Sequence, residues 1–158
     1  MNREMHKKDR QLTMEATKEL LVKGHHGTLS VNGDDGYPYA VPVNYVYLND
    51  AVYIHSAKYG YKIEALEKND KVCFSAIISS NVLPSHFTAE FESVVAFGKA
   101  ELVADDAEKQ EVLETFITRF APGREEAGAK MIKGNFPHTA IIKVNIESMT
   151  GKAWGLEK

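Results

Sequence analysis

One short stretch of the chain brings together residue types that bind anions. Ser56, Lys58 and Lys62 supply a hydroxyl and two ammonium groups, and Gly60 lies between the two lysines. Glycine lets a ligand approach the backbone closely, and the first turn of a helix offers N–H groups without intrahelical partners. With a helix beginning near residue 61, the stretch predicts a phosphate site. A solvated turn with two surface lysines is the alternative interpretation.

The other reactive side chains do not form a known catalytic or metal-binding pattern. The sequence has no glycine-rich dinucleotide loop, Walker A motif, HExxH or GxSxG. His25 and His26 are adjacent and have no evident companion ligands for zinc. The single cysteine, Cys73, lies in an apolar run, which favours a buried thiol. We therefore expect no metal.

Composition excludes several classes of protein. A chain of 158 residues with 44% hydrophobic and 26% charged residues is typical of one globular domain. The 19 Lys and Arg against 22 Asp and Glu, a net charge of −3, argue against a dedicated binder of nucleic acid or anionic membranes. No apolar run is long enough for a membrane span or a signal peptide, so we expect a cytoplasmic protein.

The elements around the phosphate site follow from hydrophobic periodicity and turn residues. A leader over residues 1–11 is expected to be mobile, and residues 12–158 to form a single domain. Thr13 is expected to cap a helix reaching about Lys23. Strands are expected over 27–31, 37–48, 51–56, 71–78, 87–103 and 139–148, helices over 61–68, 105–121 and 125–132, and a loop over 79–86.

The arrangement of these elements favours a barrel. Pro38 and Pro42 cannot donate to a ladder, so their strand should be an edge, bulged or unpaired on one side. Gly98 is expected to form a bulge. Because strands and helices do not alternate regularly, we predict a mainly β, mostly antiparallel barrel with flanking helices. Exposed edges also favour pairing with a second copy in a twofold homodimer.

Three segments, taken in order, carry a resemblance to a known family. They are residues 36–45 (GYPYAVPVNY), 54–62 (IHSAKYGYK) and 92–100 (ESVVAFGKA). The set resembles the pyridoxamine 5′-phosphate oxidase-related flavin-binding family, and within it most resembles the nitroimidazole-resistance (Nim-type) branch, over about residues 12–152. The resemblance implies an antiparallel split β-barrel and a homodimer. It also implies FMN held between the subunits, with FAD left open.

Carried onto this chain, the resemblance also implies roles for individual residues. Lys62 would bind the FMN phosphate with help from Ser56 and Lys58, and His55 would lie beside the flavin as the catalytic, proton-supplying group. A partly buried histidine with a backbone partner is the alternative for His55. The other implied cofactor-binding residues are Val43, Asn44 and Tyr45 through their backbone groups, Ala57, Ser93 from the next strand, and Trp154 from the tail.

The implied activity is that of an FMN-dependent oxidoreductase. It would pass electrons from a reduced nicotinamide to a small electron-poor acceptor such as a nitroimidazole. A non-catalytic flavin store or redox sensor, a haem-associated protein and a cofactor-free barrel are the alternatives. The tail over residues 151–158 contains no arginine, so we do not expect oxidation of pyridoxamine phosphate itself.

Overall fold

Seven strands form one curled antiparallel sheet in a computed structural model, which describes residues 4–155. The helices and strands, in chain order, are α1 Met14–Lys23, β1 His26–Asn32, β2 Pro38–Asn44, β3 Val46–Leu48, β4 Ala51–Ala57, α2 Tyr61–Lys68, β5 Lys71–Leu83, β6 Thr88–Leu102, α3 Asp106–Phe120, α4 Glu125–Asn135 and β7 Thr139–Trp154. The strand order across the sheet is β2-β1-β5-β6-β7-β4-β3. The predicted fold, a split antiparallel barrel with flanking helices, is confirmed.

The helices begin where the sequence predicted. Thr13 caps α1 by accepting a hydrogen bond from the N–H of Ala16, and Asp105 caps α3 by accepting from the N–H of Glu108. The predicted α2 has the observed bounds, and it buries Ile63 and Leu66. None of the helices within residues 4–155 has both the length and the apolar character that crossing a bilayer requires.

Two apolar clusters fix the position of β4. One face of β4 contributes Val52 and Ile54 to the main core, together with the buried sides of α1 and α2. The opposite face contributes Tyr53 to a second cluster with Val112 and Phe116 of α3. Because β4 is buried on both faces from Ala51 to Ile54, its next residues emerge from a rigid base.

The predicted strand over residues 37–48 is wrong, because it is two strands. Tyr45 interrupts it: the ring is fully buried against Phe74, and the backbone N–H donates to the carbonyl of His25. The residues before Tyr45 form β2 at one edge of the sheet, and those after it form β3 at the opposite edge. The alternating pattern continues through Tyr45, so periodicity alone could not locate this break.

The position of β2 confirms that the proline-bearing strand is an edge. It pairs with β1 along its whole length and has no neighbour on its other side within the described chain. Its side chains alternate between exposed and half-buried, and Tyr39, Val41 and Val43 pack against the main core.

The predicted loop over residues 79–86 is also wrong. β5 continues to Leu83 and pairs with β6 as far as Thr88, while Pro84–His86 form the turn. Ser79 and Asn81 suggested a loop because they are polar, but they bond across the hairpin to Glu92 and Glu90. We call residues 79–92 the arm.

Residues 1–3 of the predicted leader lie outside the described residues. Within the rest of it, Lys8–Arg10 form a short 3₁₀ turn and Gln11 bridges to Lys152. The N–H of Leu12 also donates to the carbonyl of Gly151. Mobility of the leader stays a prediction.

Candidate functional site

The split in the sheet forms a groove of about 360 Å³. β2 and β4 face each other here without being hydrogen-bonded neighbours, because β2 ends the sheet and β4 pairs with β7 and β3. The residues lining the groove are His26 of β1, Val41, Pro42, Val43 and Asn44 of β2, His55 of β4 and Lys62 of α2. Four predicted site residues, Val43, Asn44, His55 and Lys62, are therefore brought together.

One end of the groove is suited to a phosphate. Gly60 precedes α2 with φ +115°, a conformation that side-chain-bearing residues rarely adopt. The N–H groups of Tyr61 and Lys62 are in the first turn, so the helix supplies no acceptor for them. Lys62, in the same turn, lines the groove, and its positive charge acts on the imidazole of His55.

Ser56, at the end of β4, has an unsatisfied hydroxyl but does not line the groove, because its side chain lies on the opposite face of β4 from His55. Its side chain is 8% exposed, and its Oγ has no hydrogen-bond partner. A buried hydroxyl without a partner costs about 1–3 kcal/mol, which an oxygen atom of a ligand would offset. Ala57 and Lys58 follow at the exposed end of the strand, where Ala57 pairs with Thr139.

The backbone of β2 offers few donors to the groove. The N–H of Tyr45 points towards β1, where it bonds to His25, and N–H directions alternate along a strand. The even-numbered residues of β2 therefore direct their N–H groups away from β1, but Pro38 and Pro42 have none. Ala40 and Asn44 remain, and only Asn44 lines the groove.

This alternation separates the three consecutive residues that were predicted to line the flavin, Val43, Asn44 and Tyr45. Val43 lines the groove and its side chain packs against the main core, while its N–H faces β1. Tyr45 directs its ring into the core, and burial raises the pKa of its hydroxyl to about 12. Asn44 is the residue of the three whose backbone N–H faces the groove.

His55 lies in the groove against a wall formed by α3. Its ring meets that of Phe116 edge to face, with 4.7 Å between centroids and an interplanar angle of 79°. Desolvation lowers the pKa of His55, and the nearby ammonium group of Lys62 lowers it further. No residue among 4–155 hydrogen-bonds to the imidazole, so the backbone partner considered as an alternative is not observed.

Ser93 and Trp154 do not lie in this groove. Ser93 on β6 pairs with Ile77 and Lys152, and Trp154 at the end of β7 pairs with Phe91. Trp154 lines a separate cavity of about 480 Å³, and the guanidinium of Arg10 lies 5.2 Å from the centroid of its ring. A single chain therefore does not bring these two residues to Lys62.

Of the three groove residues that were not predicted, Val41 and Pro42 neighbour predicted ones, whereas His26 lies on another strand. It lies directly across the β1–β2 ladder from Asn44, and both side chains are exposed. Assigning it required the register of the two strands, and the hairpin between them allowed several registers. A metal role is not supported, because residues 4–155 contain no group of three or more potential ligands.

Comparison with known proteins shows one family and a consistent fold. The family model described as pyridoxamine 5′-phosphate oxidase matches residues 13–153. The chain is similar to a candidate 5-nitroimidazole antibiotic resistance protein from Bacteroides thetaiotaomicron, with 25% identity and a TM-score of 0.73. That similarity covers 90% of this chain and 86% of the other.

Two further solved structures share the fold at lower identity. The flavocytochrome Anf3 from Azotobacter vinelandii is 23% identical, with a TM-score of 0.78 over 98% of this chain and 75% of its own. An FAD-binding protein from Mesorhizobium loti is 22% identical, with a TM-score of 0.68 over 92% of this chain and 98% of its own. Among proteins of curated function, none matches the chain significantly.

Proposed function

The chain belongs to the pyridoxamine 5′-phosphate oxidase family, and from that premise we propose that it is a flavin-binding oxidoreductase using FMN. It would pass electrons from a reduced nicotinamide to a small electron-poor acceptor such as a nitroimidazole. The observation that carries the proposal is the groove, where Lys62 and the first turn of α2 lie together with His55 and Asn44. The likeness to the Bacteroides protein supports the acceptor class.

The residues of the groove fit a flavin phosphate at one end and a polar ring edge at the other. Lys62 and the N–H groups of α2 would hold the phosphate through charge-assisted hydrogen bonds. The hydroxyl of Ser56 would donate a hydrogen bond to an oxygen atom of the ligand. Lys58 is exposed, four residues before Lys62 in the sequence. Asn44 would offer backbone and side-chain donors to the ring edge. A bound flavin would supply hydride acceptance and electron donation, which side chains alone cannot.

His55 would handle a proton beside the ring. Because its pKa is lowered, the imidazole is neutral near pH 7 and carries one N–H and one free nitrogen. It can therefore donate a hydrogen bond to an oxygen of the acceptor or accept a proton from a ligand. When protonated it is a stronger acid than an ordinary histidine, so it gives up that proton readily.

A second copy of the chain would complete the site. Ser93 and Trp154 reach no part of the groove in one chain, and a homodimer with the flavin at its interface would bring a partner's β6 and β7 towards it. The open edge of β2 supports such a pairing. We propose this homodimer as the working form in the cytoplasm.

Flavin binding without turnover is the second candidate. It is favoured by His55, because no hydrogen bond within residues 4–155 orients its imidazole. A flavin store, a redox sensor or a haem-associated protein would need no oriented proton donor. Mixing flavin-loaded protein with a reduced nicotinamide without oxygen separates the two: loss of flavin absorbance supports the oxidoreductase, and persistent absorbance supports storage.

Replacing Lys62 tests the binding site itself. Lys62→Ala should weaken FMN binding by about 1–3 kcal/mol, because one charge-assisted phosphate contact is lost. Riboflavin lacks the phosphate, so its affinity should not change. Calorimetric titration of both ligands measures the difference, and Lys133→Ala, an exposed lysine of α4, is the matched control. Equal loss for both ligands, or no loss for FMN, would remove Lys62 from the phosphate site.

A further inference from the structure

The end of the groove opposite Lys62 is bordered by aromatic rings. β2 runs from Tyr39, whose ring packs against Tyr61 beside Lys62, to Asn44, which lies across from His26. At that far end the ring of Phe120 is perpendicular to those of His25 and His26, at centroid distances of 5.4 and 6.4 Å. We call His25, His26 and Phe120 the aromatic rim.

Two phenylalanine side chains of α3 connect the rim to His55. The ring of Phe120 stacks on that of Phe116 at 5.7 Å, and Phe116 contacts the imidazole of His55. Arg119 holds the end of α3 in place by donating to the carbonyls of Lys23 and Gly24. The rim is therefore a fixed surface beside the groove rather than a flexible terminus.

The rim is open to a ligand. Phe120 is 36% exposed, and both histidines are exposed, although each ring already packs on one side. The groove residues next to the rim include no carboxylate, and they present the imidazoles of His26 and His55 and the amide of Asn44. Such a surface offers aromatic faces and hydrogen-bond donors, without negative charge.

We propose that the aromatic rim binds a planar, electron-poor ring that carries oxygen atoms, such as a nitroaromatic or a quinone. The proposal rests on the proposed function, since it gives the electron acceptor a place beside the groove that His55 lines. Electron-rich phenyl faces attract electron-poor rings, and imidazole N–H groups donate to nitro or carbonyl oxygens. His26 and Phe120 are then residues that determine acceptor specificity, separate from those that hold the phosphate.

Binding, rather than turnover, provides the test. 2-Methyl-5-nitroimidazole and duroquinone are titrated separately into FMN-loaded protein by calorimetry, and the imidazole C–H signals are followed by NMR. Phe120→Leu and His26→Ala should each raise the dissociation constant of a bound probe by about three- to tenfold, the ratio expected for one aromatic contact. Binding of one probe alone identifies the acceptor as a nitroaromatic or as a quinone.

Matched variants separate the rim from general effects on folding. Phe120→Tyr keeps the ring and should keep the affinity, and His86→Ala, on the exposed turn of the arm, should change nothing. Cyclohexane-1,4-dione, which has two carbonyls but no aromatic ring, should bind at least about tenfold more weakly than duroquinone. Equal affinity of parent and both rim variants, or no shift of any histidine signal, would overturn the proposal.

Failure of the rim proposal can be distinguished from failure of the proposed function. If FMN does not bind, the oxidoreductase proposal fails, and the same titrations on flavin-free protein still show whether the rim recognises the probes. If FMN binds equally well to the parent, Phe120→Leu and His26→Ala proteins while the probes bind none of them, the rim proposal fails alone.

Discussion

The imidazole of His55 lies between an apolar wall and a cation. Phe116 restricts water on one side, and Lys62 disfavours a second positive charge in the groove. Both effects lower the pKa of His55, and desolvation is the larger of the two. Protonation therefore costs the folded protein more than it costs the unfolded chain, which links this residue to stability.

The pH dependence of unfolding should reveal His55. Above its ordinary pKa of about 6.5, the residue is neutral in both states. As the pH falls below that value, the unfolded chain takes up the proton first, so the free energy of unfolding decreases until the pH passes the lowered pKa of the folded state. His55→Gln should therefore lose less stability than the parent between pH 7.5 and 5.5. Denaturant titrations at both pH values measure the difference, and identical losses would contradict the assignment.

At the scale of elements, the points where strands are interrupted shape the sheet and its groove as much as the strands themselves do. Tyr45 divides one alternating run into β2 and β3 at opposite edges, and this division creates the groove. As predicted, the β6–β7 register is irregular at Gly98: Phe97 pairs with Ser148 and Gly98 with Ile146, so the extra residue lies in β7. A bulge bends the strand that carries the extra residue, so β7 can follow the curl of the sheet.

Two glycine-to-alanine changes test the bend. A Cβ atom at Gly98 would overlap the backbone oxygen of Asn145, which cannot move without breaking the ladder. Gly98→Ala should therefore lower the free energy of unfolding by at least about 2 kcal/mol. Gly134→Ala in α4 is the control, because a Cβ there meets nothing, and it should stabilise by less than about 1 kcal/mol. Thermal melts compare the two, and similar melting temperatures would show that the sheet does not need the glycine.

The sequence predicted local features better than their relative placement. Two kinds of local feature are confirmed: the helix caps at Thr13 and Asp105 and the boundaries of α2. Both depend on residues that are close in sequence. The Ser56–Lys62 stretch could be recognised because its groups are close in sequence. The break at Tyr45 could not, since it depends on a buried contact with Phe74, distant in sequence. Likewise, His26 enters the groove only through the β1–β2 register.

At the scale of the whole molecule, the arm lacks a core of its own. β5 is exposed on both faces from Ser79 to Val82. The apolar side chains of Val82 and Phe87 in the arm are 69% and 97% exposed, and that of Ile77, just before the arm, is 71% exposed. Phe87 also adopts a left-handed conformation with φ +51°. A narrow ribbon without an apolar layer beneath it is marginally stable, so we expect another surface to cover it.

We expect that surface to be a second copy of the chain. Light scattering after size exclusion should give the mass of a dimer at micromolar concentration. Combining Ile77→Lys with Val82→Lys should raise the dimer dissociation constant at least about tenfold, because two charges would lose water at the interface. Met131→Lys on exposed α4 is the control. A monomeric parent, or a double variant as dimeric as the parent, would contradict the homodimer.

The prolines of β2 have a consequence beyond the groove. The backbone nitrogens of residues 38, 40, 42 and 44 point away from β1. Because two of these four residues are Pro38 and Pro42, half of the nitrogens along this edge have no hydrogen to donate. A strand of another molecule that paired with this edge would lack half of the hydrogen-bond donors that β2 would otherwise supply, so aggregation by strand addition at β2 is disfavoured. The barrel can thus leave the edge of β2 unpaired beside its ligand groove without forming fibrils along that edge.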